Sequence, residues 1–262
     1  MNIVVCMKQV PDTNDVKIDK KTNTLMRQGI KSIINPYDLH AIEEALCLRE
    51  KFGGKVTVIS MGPLQVIDSL KEAVSLGVDE VILLSDRAFA GADTLATSYT
   101  LSRAIARIAN VDLILCGKQA IDGDTAQVGP GIAEHLDIAH VTYINKIIDI
   151  NEKELTVKKI VEDGYQIIRA ELPVLLTVLK EINDPRLPSI RGILRSRQID
   201  DIPVWTTDDL DIDRDLIGLN GSPTQVVSVD TPQLDVEARV FAGDYQNQVD
   251  CLLTALMEQK VL

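Results

Sequence analysis

The chain has 262 residues, 45% of them apolar and only 3% aromatic, with a formal net charge of −12. That length and apolar share can bury a sizeable core, as one large domain or one domain with an appendage, filled mainly by Ala, Val, Leu and Ile. The acidity argues against a nucleic-acid or anionic-membrane surface, since either needs clustered Lys and Arg.

Residues 2–7 form a short apolar run of strand composition, and a polar loop, residues 8–12, stands at its carboxyl end. No basic segment with a long apolar run precedes that strand, and no apolar run approaches about 18 residues, so neither signal peptide nor membrane span is expected. Residues 16–27 alternate with period two like a small hairpin. Asn35-Pro36-Tyr37-Asp38 opens a helix to about residue 52, with Pro36 in the first turn and Gly53-Gly54 as its stop. Residues 55–61 are the second strand. Gly62-Pro63 starts a helix carrying Val66, Leu70, Ala73 and Val74 on one face, and residues 80–85 are the third strand. Asp93 or Thr94 caps a long helix to about residue 109, and residues 111–116 are the fourth strand.

This alternation of strand and helix over the first 140 residues is the pattern of an α/β fold with a doubly wound, mostly parallel sheet. Its ligand crevice lies outside the carboxyl ends of the strands. In the commonest strand order the first and fourth strands are neighbours, which sets Cys6-Met7-Lys8-Gln9 opposite Cys116-Gly117-Lys118-Gln119. Lys8 and Lys118 then either neutralise a phosphate or are solvated loop lysines.

Residues 117–136, GKQAIDGDTAQVGPGIAEHL, join the fourth strand to the next helix. Glycines let backbone approach a ligand closely, and free N–H groups at a helix start suit a phosphate or pyrophosphate. Pro130 has no N–H, so the helix starts only a few residues before it and the loop is long. A plain strand-to-helix connection with turn residues is the alternative. The stretch is neither GxGxxG nor GxxxxGK[ST].

From residue 141 the pattern changes to four strands, at 141–150, 154–161, 165–171 and 174–179, expected to extend the sheet with antiparallel strands. Residues 191–197 are basic and partly helical. Residues 200–215 are acid-rich and weakly patterned, like a surface arm, and residues 218–232 look irregular. A final helix, about 244–260, puts Val249, Leu252, Leu253 and Leu256 on one face, to fold back on its own domain or dock on another subunit.

Cys6, Cys47, Cys116 and Cys251 show no CxxC spacing and are read as reduced, mostly buried thiols of a cytoplasmic protein. His40, His135 and His140 are scattered, without metal-ligand spacing. No Ser/His/Asp or Cys/His arrangement is evident, so no catalytic residue is expected.

Two groups of residues resemble the beta subunit of electron-transfer flavoproteins. The first comprises MKQVPD at 7–12, INPYDLHAIEEA at 34–45 and GKQAIDGDTAQVGP at 117–130. The second is the family signature: Val157-Lys-Lys159, Glu162-Asp163-Gly164, Gln166, Ile168, Pro173 and Leu175-Leu176-Thr177. The resemblance spans residues 1–200 and implies an adenine-nucleotide-binding fold paired with an alpha subunit that carries a mobile FAD domain. It divides the chain into a nucleotide-binding domain, residues 1–182, and residues 183–262, which hold a recognition loop, the arm and a helix docking on the alpha subunit.

Within that family one branch binds AMP in the beta subunit as a structural piece. The other binds a second FAD, which takes electrons from NADH and splits them between a low-potential acceptor, ferredoxin, and a partner flavin dehydrogenase. Small Ala126 and Gly129 leave room for a dinucleotide, and Thr94 and Thr97 resemble the second branch. The expected FAD-binding set is Cys6, Asn35, Asp93, Thr94 and Thr97, with Ala120, Asp122, Gly123, Asp124, Thr125, Ala126, Gln127 and Val128 from the loop. Tyr37 is expected to face the alpha subunit's flavin or to pack on the sheet. Leu187 and Ile190 are expected to anchor the dehydrogenase, an acyl-CoA dehydrogenase, enoyl-CoA reductase or lactate dehydrogenase, with a core role for Leu187 as the alternative. A nucleotide-binding regulatory module and a small adenylating or hydrolysing enzyme are the rival classes, and neither accounts for the signature around Pro173.

Overall fold

The computed structural model describes residues 1–12, 32–227 and 238–261, and the backbone of residues 18–19 and 24–25. Strand β1 (Asn2–Cys6) is followed by the short β2 (Gln9–Pro11), β3 (Ile18–Asp19), β4 (Thr24–Leu25) and β5 (Ser32–Ile34). Helix α1 (Pro36–Phe52) leads to β6 (Lys55–Met61), α2 (Ile67–Leu76) to β7 (Glu80–Leu84), and α3 (Thr94–Arg107) to β8 (Leu113–Gly117). Then come α4 (Val128–Leu136), β9 (Ala139–Ile150), β10 (Glu154–Val161), β11 (Gly164–Glu171), β12 (Val174–Val178), α5 (Ile190–Gln198), β13 (Val204–Trp205) and α6 (Tyr245–Glu258).

The main sheet has nine strands in the order β11-β10-β9-β12-β8-β1-β6-β7-β13. Strands β1 and β8 are parallel neighbours, with Cys6 opposite Cys116. The central strands are buried on both faces, which is why they read as unbroken apolar runs. On one face Ile3, Val5, Val58, Leu83 and Leu115 meet Ile42 and Leu46 of α1 and Leu70 and Val74 of α2. On the other, Val4, Ile59, Ile114 and Leu175 meet Leu101 and Ile105 of α3 and Ile132 of α4. Tyr99 of α3 and His135 of α4 stack edge to face, with ring centroids 5.4 Å apart.

Two expectations are corrected. Of the four strands after residue 140, only the β9-β10 and β10-β11 pairs are antiparallel. Strand β12 runs parallel to both β8 and β9 and lies between them. Its sequence, VLLTV, is buried throughout, as a strand covered on both faces must be. The long β9 therefore serves two partners, β12 with its first half and β10 with its second.

The acid-rich residues 200–215 are not a surface arm. Strand β13 pairs in parallel with β7, and Ile202, Leu210 and Ile217 are buried. The acids hold this return to α3: Arg103 pairs with Asp211 at 2.5 Å and Arg107 with Asp209 at 3.6 Å. The compact unit accordingly runs Met1–Ser228, past residue 182, and α5 lies so close on α2 that a Cβ at Gly192 would stand 2.0 Å from the Ser75 carbonyl oxygen. Val229–Leu262 forms a separate unit, whose α6 is capped by the Asp244 carboxylate and has no buried residue. The expected hairpin is present as the antiparallel pair β3-β4; its residues 16–17, 20–23 and 26–27, and residues 228–232, lie outside the described residues.

Among the cysteines, Cys6 and Cys116 are buried whereas Cys47 and Cys251 are exposed, so only half follow the expected burial, and all four are free. No described helix is long and apolar enough to cross a membrane. Because Leu210 is buried, Leu210→Ala should cost about 2–4 kcal/mol of unfolding free energy, measured by urea titration. A surface arm would lose under about 0.5 kcal/mol.

Candidate functional site

The crevice forms where β1 and β8 end side by side beneath the start of α1. Pro36 sits at the first helical positions, where a missing N–H costs nothing, and Asn35 precedes it. Asn35 is fully buried and its side chain does not cap α1. Its amide Nδ2 donates instead to the Gln119 carbonyl at 2.9 Å, and its Oδ1 accepts from the Ile121 N–H at 3.2 Å. Its own N–H donates to the Lys8 carbonyl at 2.9 Å. One asparagine thus ties the loop after β8 to the loop after β1.

Asp38, in the first turn of α1, makes the second tie. Its carboxylate accepts from the Lys8 N–H at 2.8 Å and from the Gly117 N–H at 3.1 Å. This approach requires glycine at 117, where a Cβ would stand 2.4 Å from Asp38 Oδ1 and 2.6 Å from Tyr37 Cβ. Burial pushes the Asp38 carboxyl up to about 7, against the opposing pull of bonds from Lys8, Asn35 and Gly117. The thiol of Cys116 is raised by its hydrogen bond with Cys6, by burial and by the nearby charges of Cys6 and Asp38, so it is a poor nucleophile.

The loop itself stands open. Residues 121–125 are exposed, and nothing lies within 4 Å of where a Cβ would project from Gly123. Lys8 Nζ reaches across to Asp122 at 2.7 Å, and Gln119 hydrogen-bonds Asp124. Asp124 and Ala126 take left-handed backbone, with φ of 53° and 56°, and Gln127 returns to the right-handed region. Left- then right-handed residues turn successive N–H groups to one side, a concavity that suits an anion. Gln127 supplies no side-chain cap to α4, whose first N–H groups have no partner inside the helix.

Gly129 and Gly131, read from sequence as part of a ligand cradle, have a packing reason instead. A Cβ at Gly129 would lie 2.8 Å from Thr177 of β12, and one at Gly131 would lie 2.7 Å from Ser98 Oγ of α3. They let α4 sit down on the sheet and on α3, bringing the start of α4 beside the start of α3.

That start carries Asp93, Thr94 and Thr97. Asp93 caps α3 through Leu95 and Ala96 N–H groups at 2.9 and 3.1 Å, while its other oxygen accepts from Thr224 N–H and Oγ1 at 3.1 and 2.8 Å. Burial alone would raise its carboxyl, but these bonds outweigh it and hold it below the usual carboxylate range. In this structure both Asp93 oxygens are thus engaged by the fold. Thr94 and Thr97, three apart and half-buried, share one side of the first turn.

Asn35 is thus bonded to the loop that carries Asp122 and residues 123–128, Cys6 lies buried opposite Cys116 at the strand ends, and Thr94 and Thr97 stand in the first turn of α3. Sequence reasoning missed Asp38 and the Lys8–Asp122 pair. The available signal was an acid in the first turn of a helix opening with Asn-Pro, where such an acid ordinarily reads as a favourable dipole charge. Lys118 Nζ lies 5.5 Å from the Tyr143 ring centroid.

Beside the crevice Tyr37 is half-buried, with Lys180 Nζ 4.9 Å from its ring centroid. Arg186 is clamped on α1, Nε to Glu43 Oε2 at 2.8 Å and Nη1 to Glu50 Oε1 at 2.5 Å. Asn183 Nδ2 donates to the His40 carbonyl and to Glu44 Oε2, each at 3.0 Å. The chain emerging from this clamp presents Leu187 and Ile190, 87% and 81% exposed, so Leu187 does not cap the core.

Residues 22–207 match the electron transfer flavoprotein domain family. The chain is 52% identical over 262 residues to the electron transfer flavoprotein subunit beta of Thermoanaerobacterium thermosaccharolyticum, with 100% of each chain covered. It is 46% identical over 261 residues to the caffeyl-CoA reductase-Etf complex subunit CarD of Acetobacterium woodii, with 99% of each covered. To protein FixA of Azotobacter vinelandii it is 48% identical over 239 residues, which cover 89% of this chain and 85% of that one.

The two kinds of glycine here separate under substitution. Gly131→Val should destabilise by about 1–3 kcal/mol, because Ser98 must move. Gly123→Ala, with open space and no left-handed backbone, should leave the thermal midpoint unchanged. Equal midpoints for the two variants would contradict the packing assignment.

Proposed function

Because this chain belongs to the electron transfer flavoprotein family as a beta subunit, we propose that its β1–β8 crevice binds FAD rather than AMP. Beta subunits of this family pair with an alpha subunit and work with flavin dehydrogenases. The observation that carries the finer reading is the open loop itself: the left-handed Asp124 and Ala126, the uncapped α4 and the small Ala126 side chain. Those N–H groups and the Lys8 ammonium fit a pyrophosphate, and the space beside Gly123 leaves the rest of a dinucleotide unobstructed.

In this reading Asp122, Asp124, Thr125, Gln127 and Val128 line the pyrophosphate end, while Cys6, Asn35 and Ala120 shape the floor. Thr94 and Thr97 close the far side. Asp93 contributes by holding the start of α3 in place. A flavin bound there supplies hydride and single-electron transfer, which the polypeptide itself lacks. The chain's own residues bind and orient it, while the hydrogen bond with Cys6 and burial raise the Cys116 thiol and keep it protonated. The reaction proposed for the complex is oxidation of NADH, with the electrons divided between a low-potential acceptor such as ferredoxin and a flavin dehydrogenase. The second reading, AMP held as a structural piece of a non-bifurcating carrier, draws on the same loop chemistry, since one phosphate also fits the concavity.

Residues 183–262 are proposed as the partner-facing part. Leu187 and Ile190 stand ready as apolar anchors whose base is fixed by the Arg186 clamp, so little freedom is lost on docking. The α6 stripe of Val249, Leu252, Leu253 and Leu256 is proposed to cover itself on the alpha subunit, and Tyr37 to face that subunit's flavin.

Counting nucleotides in the purified heterodimer tests the cofactor. Two FAD and no AMP are expected, and Ala126→Trp should lower this to one FAD without unfolding the chain; one FAD and one AMP would establish the structural-AMP reading instead. For the partner surface, Leu187→Ala should weaken dehydrogenase binding by roughly 2 kcal/mol, and Tyr37→Ala should slow transfer between flavins. Neither should alter the thermal midpoint, and an early-melting Leu187→Ala with normal dehydrogenase affinity would remove the anchor role.

A further inference from the structure

Among the described residues Asp38 is a buried carboxylate with no part in the roles above. It stands where one side chain reaches both walls of the crevice: the Lys8 N–H, two residues past β1, and the Gly117 N–H, the last of β8. Gly117 is also the point from which the 118–127 loop departs, and Lys8 carries the ammonium that holds Asp122 of that loop. Removing the carboxylate would leave two inward N–H groups without an acceptor and would leave the bonds of Asn35 to Gln119 and Ile121 to hold the start of the loop.

We infer that Asp38 is a positioning residue for the nucleotide site, its ionised carboxylate holding the two strand ends, and with them the 118–127 loop, in the geometry that binds. The inference rests on the crevice being that site. A charged acceptor binds N–H groups about twice as strongly as a neutral one, so protonation slackens both bonds together. Burial brings this switch to about pH 7, far above the ordinary carboxyl range. The folded-state value is raised, so the ionised form, and the clasp with it, is lost as pH falls through about 7 and restored above it.

The charged and titratable groups around Asp38 are Lys8 from the end of β1 and Cys116 from β8, with Cys6 beside it. On its own helix Tyr37 lies under Lys180, and the ring of His40 is directed to the Asn183 carbonyl at 2.9 Å. A direct charge effect has the opposite sign to positioning, since a neutral Asp38 would repel a phosphate less. The direction of the pH profile therefore separates the two.

The test is calorimetric titration of the nucleotide-depleted heterodimer with FAD and with AMP, from about pH 6 to about pH 8. Wild-type affinity should fall toward acid, by up to about tenfold per unit below the midpoint. Asp38→Asn should bind weakly at every pH, with no step, and His40→Gln should keep the wild-type step. Asp38→Glu, which keeps the charge but not the reach, should bind weakly and retain a step. Should Asp38→Asn fail to fold, the wild-type and Asp38→Glu profiles still decide. A wild type without a step, a step that weakens binding toward alkali, or a step that persists in Asp38→Asn overturns the inference while leaving the nucleotide site standing. A wild type that binds neither nucleotide at any pH overturns the nucleotide reading, and this inference with it.

Discussion

The crevice depends on two buried side chains at the start of α1 that satisfy backbone from both strands beneath them. Where parallel strands end, their last N–H groups lose their ladder partners, and a sheet of this kind must find other acceptors there. Asp38 is the acceptor for Lys8 and Gly117, and Asn35 spans the Lys8, Gln119 and Ile121 peptides. Gly117 makes the arrangement sterically possible. Everything that faces a ligand, from the open loop to the uncapped α4, begins from these fixed points.

Much of the fold was legible because its signals are local. Pro36 at a helix start, Gly53-Gly54 at its end, Asp93 as a cap and the apolar runs of β1, β6 and β8 each act within a few residues. What could not be read were long-range outcomes. A short apolar run such as that of β12 carries no direction, so the sequence does not show that it lies between β8 and β9 and runs parallel to both. Residues 200–215 look like an arm because their acids dominate, whereas the fold buries Ile202 and Leu210 and pairs the acids with the arginines of α3.

The site was legible in outline and not in mechanism of assembly. Loop composition located the crevice, yet it could not tell Gly123, which faces open space, from Gly129 and Gly131, which allow close packing. Nor could spacing reveal that Lys8 meets Asp122, 114 positions along the chain, or that Asp38 would be drawn inward rather than left as a surface charge at a helix start. The same distinction holds at the partner-facing end. Leu187 is apolar in sequence, but its exposure follows from Arg186 being held by Glu43 and Glu50 on α1.

The central claim is that the loop between β8 and α4 holds the phosphates of an adenine nucleotide. A structure of the heterodimer with its native nucleotide retained tests it most directly. The account predicts a pyrophosphate within hydrogen-bond distance of the backbone N–H groups at residues 126–129, with Asp38 still bridging Lys8 and Gly117. Nucleotide density confined to the alpha subunit, with this loop empty, would contradict it.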